Sequence, residues 1–301
     1  MKLNQKYIYL SFIAIIALLM ISASSFAQQP DSTQGAIGLN PDRDQPLEIT
    51  ADHTLEWQRD NQQFIAEGNV IAKQGDVTIF ADILTADYRD TGAQAFEIYR
   101  LTADGNVRIV SQGNTATGQK SVYDVDRGVA IMTGDNLLLS SPDQSVRARD
   151  SFEYWVTEGK LKAIGQAHVE RLEDTLDAQE ITAVFMEDPQ GRRQLKSLSA
   201  DGGVRITTPT EILTGSRGFY QAHSNVAEII GNVKITRGPN VLEGERAEVN
   251  LATNVSKMIG NATYGNGQGK RVRGIFYPNS EKSQAPPEVA PNNKKPVLLG
   301  Q

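Results

Sequence analysis

The chain has 301 residues, 39% of them hydrophobic and 7% aromatic, with 26 glycines and a formal charge of −6. Its lysines and arginines are dispersed and form no basic stripe, which disfavours nucleic acid as a partner. Cysteine is absent, so disulfides, thiol catalysis and thiolate metal sites are excluded.

The N-terminus reads as an export signal. Lys2 and Lys6 supply a positive start, Ile8 to Ile21 an apolar run, and Ser25-Phe26-Ala27 the small residues of a cleavage site. The expectation is cleavage near Ala27, and no cysteine follows to carry a lipid anchor. Residues 28–45 are polar and rich in turn formers, a flexible lead-in.

From Leu47 the chain alternates. Leu47, Ile49, Ala51, Leu55 and Trp57 share one parity, and Glu48, Thr50, Asp52, Thr54 and Glu56 the other. A period of two marks a half-buried strand. Phe64, Ala66, Gly68, Val70 and Ala72 continue it, and the pattern persists for about fifteen segments of 10 to 14 residues. Such lengths exceed an ordinary flat strand. Most segments carry a small or flexible pair near the middle, such as Gly68-Asn69, Ala81-Asp82 or Gly105-Asn106, where a bulge or bend is expected. At Ala81-Asp82 the parity itself becomes ambiguous. The economical geometry is a V-shaped rung with each arm in a different sheet, so that stacked rungs enclose an apolar interior. After Val272 to Phe276 the alternation stops, and residues 278–301 read as a disordered tail.

The body is a tandem duplication. Leu101 to Ile109, LTADGNVRI, returns as Leu198 to Ile206, LSADGGVRI, with seven of nine positions identical at an offset of 97. Gly68 maps to Gly165, Thr117-Gly118 to Thr214-Gly215, Tyr123 to Tyr220 and Gly134 to Gly231. Repeats of this kind indicate stacked supersecondary units.

Catalytic chemistry is hard to find. His53, His168 and His223 do not map onto one another and lack metal-pair spacing. Asp124 to Gly128 opens like a calcium loop but reads as a polar hairpin, since no closing glutamate follows. No nucleophile elbow, phosphate loop or dinucleotide fingerprint is present, and the outward carboxylates are those of solvated strands. No enzyme, cofactor or metal is expected. The inward apolar parity admits two readings: a filled core, or a groove for acyl chains. Periodicity does not separate them.

The recurring units carry a resemblance. Phe64-Ile65-Ala66-Glu67-Gly68-Asn69-Val70, the opening Leu47 to Asp52, Phe80 to Tyr88 and the closing Arg271 to Phe276 resemble the OstA-like (organic solvent tolerance A-like) domain family of lipopolysaccharide transport, over roughly residues 46 to 277. The resemblance implies an all-β fold, a V-shaped antiparallel β-jellyroll or β-taco of stacked bent strands. Here it would hold two tandem repeats, residues 46–158 and 159–277, where the family's bridge protein commonly has one. It also implies a periplasmic protein that binds lipopolysaccharide (lipid A), self-associates head to tail and pairs with OstA-like domains of an inner-membrane anchored partner and an outer-membrane translocon. The expected groove lining is Ile49, Leu55, Trp57, Phe64, Val70, Ile79, Val107, Ile109, Phe152, Tyr154, Val204 and Ile206. The competing reading is an exported structural or adhesive β-solenoid with a filled core and no ligand.

Overall fold

The computed structural model describes residues 46–92, 95–187, 193–250, 253, 255–261 and 271–277. The expected signal peptide and lead-in, and the expected tail, lie outside them. Every described element is a strand, as the unbroken two-residue period requires. In order they are β1 (Glu48–Thr50), β2 (Thr54–Gln58), β3 (Gln63–Gln74), β4 (Val77–Gly92), β5 (Ala95–Ser111), β6 (Asn114–Asp124), β7 (Val129–Thr133), β8 (Leu137–Ser141) and β9 (Gln144–Ala148). Then come β10 (Ser151–Trp155), β11 (Lys160–Arg171), β12 (Asp174–Glu187), β13 (Arg193–Thr207), β14 (Ile212–Gln221), β15 (Val226–Arg237), β16 (Asn240–Asn250), β17 (Val255–Ile259) and β18 (Arg273–Ile275).

All eighteen belong to one antiparallel sheet in which successive rungs pair with each other. Some rungs are interrupted at the bend and count as two strands: β1 and β2 both pair with β3, β7 and β8 both with β6, β9 and β10 both with β11, and β17 and β18 both with β16. The described residues therefore make fourteen rungs, one fewer than the alternation suggests.

The bend is a β-bulge that recurs at the same level of the stack on alternate long rungs. Between Glu67↔Ile83 and Val70↔Ala81, Gly68 and Asn69 of β3 face the single residue Asp82 of β4. Both take left-handed backbone, with φ of +86° and +41°. Glycine reaches this region without a Cβ penalty, and asparagine tolerates it better than most residues. The same two-against-one register shift sits at Gly105-Asn106, Gly165-Gln166, Gly202-Gly203 and Gly231-Asn232. Each shift moves the inward parity by one on the strand that faces the bulge, while the bulged strand keeps its own. That is why β4 points Val77, Ile79 and Ala81 inward before the bend and Leu84, Ala86 and Tyr88 inward after it, leaving Ile83 40% exposed.

Each rung thus has two arms. One runs from the Gln58–Gln63 end of the stack's first hairpin to the bend (the first arm); the other runs from the bend to the Gln74–Val77 end (the second arm). The arms fold toward each other, because one apolar cavity is walled by Ala72, Val77 and Ile79 from the second arm and by Leu84, Leu101 and Ala103 from the first. A single buried cluster then runs along the stack from Ala66 to Ala247. The sheet passes from β10 to β11 without a break.

Candidate functional site

The interior between the arms is a large apolar concavity that the alternation builds, so it is the place to look for function. It is not uniform. At the N-terminal end a cavity of about 630 Å3 opens between the arm tips. Its wall is Leu47, Ile49, Leu55, Phe64, Ala86, Phe96, Ile98, Leu101, Tyr123 and Val125, with Gln74 and Glu97 as its polar members apart from the Tyr123 phenol. That volume lies within the range of roughly 300–1,000 Å3 usual for small-molecule sites. Deeper in the stack the space narrows to about 40 Å3 beside Ala72, Ile79 and Ala130, and to about 30 Å3 beside Met132, Phe152 and Tyr154.

An aromatic cluster frames the wide mouth. Phe64 lies 5.4 Å from Trp57, 5.0 Å from Tyr88 and 5.3 Å from Phe96, measured between ring centroids. Trp57 donates from Nε1 to the Tyr88 hydroxyl at 2.8 Å. Arg59 sits 4.4 Å over the Trp57 ring. Leu55, Trp57 and Phe96 stay 59%, 52% and 49% exposed, and among the described residues no further rung covers the first one. Exposed apolar side chains gathered at one mouth are what a binding surface presents, whereas scattered ones carry no message.

The residues expected to line the groove divide by depth. Ile49, Leu55 and Phe64 wall the wide cavity, and Trp57 stands on the same face at its rim. Ile79 and Ile109 line the narrower space behind it. Phe152 and Tyr154 line the last narrow pocket. Val70, Val107, Val204 and Ile206 are buried in the continuous core. Leu47, which the alternation places on the inward parity, and Leu101, Phe96, Ile98, Tyr123 and Val125 also wall the wide cavity and are not among the expected lining residues. The Tyr123–Tyr220 correspondence and the inward parity of Leu101 were the available signals.

The polar groups sit at the tips and corners. Asp82 and Asp52 accept hydrogen bonds from Asn106 and Asn69, each at 2.8 Å. His168 Nδ1 lies 2.6 Å from Asp177 Oδ1 on the neighbouring strand. Asp124 accepts from the Arg127 backbone N–H at 2.9 Å and closes the β6–β7 hairpin. Among the described residues no group of three or more acidic or histidine side chains is placed to hold a metal. On the second arm tips, Glu211 is buried beside Arg237, at 3.5 Å, and burial pushes its carboxyl above the ordinary range.

Residues 48–150, about a third of the chain, match the family model described as LptA/(LptD N-terminal domain) LPS transport protein. This segment is similar to that lipopolysaccharide-transport domain family. It runs from β1 to the corner that follows β9 and contains the whole wall of the wide cavity, apart from Leu47. Among solved structures the chain is similar to LptH, the LptA-homologous periplasmic component of the conserved lipopolysaccharide transport device from Pseudomonas aeruginosa, at 12% identity, covering 79% of this chain and 99% of that one with a TM-score of 0.19. No curated protein matches the chain.

Proposed function

We propose that this protein is a periplasmic carrier of lipopolysaccharide, exported with cleavage near Ala27, that bridges the inner and outer membranes. The lipid A acyl chains lie between the arms, against Ile49, Leu55, Phe64 and the deeper groove residues, while the sugar stays in water outside the tips. The observation that carries this reading is the 630 Å3 apolar cavity inside the segment similar to the lipopolysaccharide-transport domain family. Its wall offers area for acyl chains, which are bound in proportion to the apolar surface removed from water.

Two OstA-like repeats, 46–158 and 159–277, double the reach. Fourteen rungs at a spacing of about 4.8 Å stack to roughly 62 Å. Among the described residues β1 and β2 pair on one side alone, and so do β17 and β18. Such edges accept strands from another chain. Copies therefore join head to tail, and the same edges meet OstA-like domains of an inner-membrane anchored partner and an outer-membrane translocon.

Native mass spectrometry of the mature protein with purified lipopolysaccharide tests this reading. A bound lipopolysaccharide mass is expected. The continuous buried core favours the second reading, a filled solenoid, and a protein that takes up no lipid would establish that instead.

A further inference from the structure

The 97-residue offset allows the two halves to be compared wall by wall. Ile98, Leu101, Tyr123 and Val125 line the wide cavity of the first half and are only partly buried. Their counterparts are Leu195, Leu198, Tyr220 and Ala222. Leu195 and Tyr220, 6% and 3% exposed, belong to a second buried cluster with Ala183, Ala227 and Val249, and the partly buried Leu198 and Ala222 pack against it. Ile98 and Tyr123 thus open onto a cavity, whereas their equivalents Leu195 and Tyr220 are buried against their neighbours. The Tyr220 hydroxyl shows the extent of closure, since it is buried without a hydrogen-bond partner.

The second arm tips diverge independently. Where the first half has Gln74, Val77, Asn114 and Ser140, the second has Arg171, Asp174, Glu211 and Arg237. Arg171 pairs with Asp143 at 3.3 Å and Arg237 with Glu211 at 3.5 Å. Gln74 and Val77 face apolar space, whereas Asp174 and Glu211 are buried carboxyls. An acyl chain lying against the second set would surround buried carboxyls with groups that cannot hydrogen-bond to them, which is unfavourable.

Resting on the transport reading above, we infer that the two repeats have divided the work: in the isolated protein the first half alone holds acyl chains, and the second is a closed section, packed along its first arm tips and charged along its second, that excludes them.

A leucine-sized photoreactive diazirine placed singly at Ile98, Leu101, Leu195 and Leu198 tests the division. The near-isosteric label keeps the buried sites folded, and thermal melting of each labelled protein verifies that. With purified lipopolysaccharide as the probe, crosslinking is expected at Ile98 and Leu101 and only background at Leu195 and Leu198. Comparable crosslinking at Leu195 would overturn the division while leaving the transport reading intact. Crosslinking at none of the four would overturn both.

Discussion

Asn106 donates from Nδ2 to Oδ2 of Asp82 at 2.8 Å, and this contact spans the bend of two adjacent rungs. Between Phe80↔Arg108 and Ile83↔Asp104, β4 places Ala81 and Asp82 opposite Gly105, Asn106 and Val107. The Asp82 side chain occupies the space a Cβ on Gly105 would need, with Asp82 Cβ only 2.8 Å from that position. The bend is therefore built from three parts: a residue without a side chain, a carboxylate that fills the gap, and an amide that holds the carboxylate.

Gly105→Ala should be costly because it adds a clash to a backbone at φ +78°. Gly113 has a similar φ of +81° but open space around it. Strain alone costs about 1 kcal/mol, so Gly113→Ala should lose about that, and Gly105→Ala about 2–4 kcal/mol. Adding Asp82→Ala to Gly105→Ala should recover part of the loss. Urea denaturation of the four proteins checks this, and equal losses at both glycines would remove the clash from the account.

Depth in the core predicts a second contrast. Leu213 is 1% exposed between the arms, and Leu172 is 82% exposed at a hairpin tip. Leu213→Ala should cost about 2–5 kcal/mol, through lost burial and the cavity left behind. Leu172→Ala should stay within about 0.5 kcal/mol of the parent. The same denaturation series measures both.

Much of this fold was legible before any coordinates. The Gly-Asn pairs named the bends, and the 97-residue echo named the repeat of those bends, because left-handed backbone and close approach select residue type strongly. The ambiguous parity at Ala81-Asp82 was the bulge itself, seen as a change of phase. The width of the interior was not legible. Ile98 and Leu195 have the same parity and similar size, yet one lines a cavity and the other is sealed. That difference depends on what packs against each position, which alternation does not encode. The aromatic frame was half visible: Trp57 and Phe64 were marked, while Tyr88 lay beyond the phase change and Phe96 beyond a turn.

Acidity should act through Glu211. Burial raises its pKa, and the Arg237 charge lowers it by a lesser amount. The folded state therefore holds this proton more tightly than the unfolded one. Stability from this group is fully present below the ordinary carboxyl range of about 4.3 and is lost as pH rises through the folded value. Glu211→Gln removes that loss. The variant should gain melting temperature over the parent near neutral pH, with the gain shrinking on acidification to about pH 4. A gain that grows on acidification would contradict the assignment.

The exposed mouth should separate binding from folding. Leu55 is 59% exposed and lines the wide cavity. Leu55→Asp should leave folding within about 0.5 kcal/mol. It should weaken lipopolysaccharide binding by about tenfold or more, since a charge then faces the acyl chains. Fluorescence titration against urea denaturation gives both numbers, and unchanged binding would place the lipid elsewhere.

Depletion of the protein in its own cell, followed by tracking newly made lipopolysaccharide between the two membranes, tests the central claim most directly. The account predicts that lipopolysaccharide accumulates at the inner membrane and that the outer membrane receives less. Delivery to the outer membrane at an undiminished rate would contradict it.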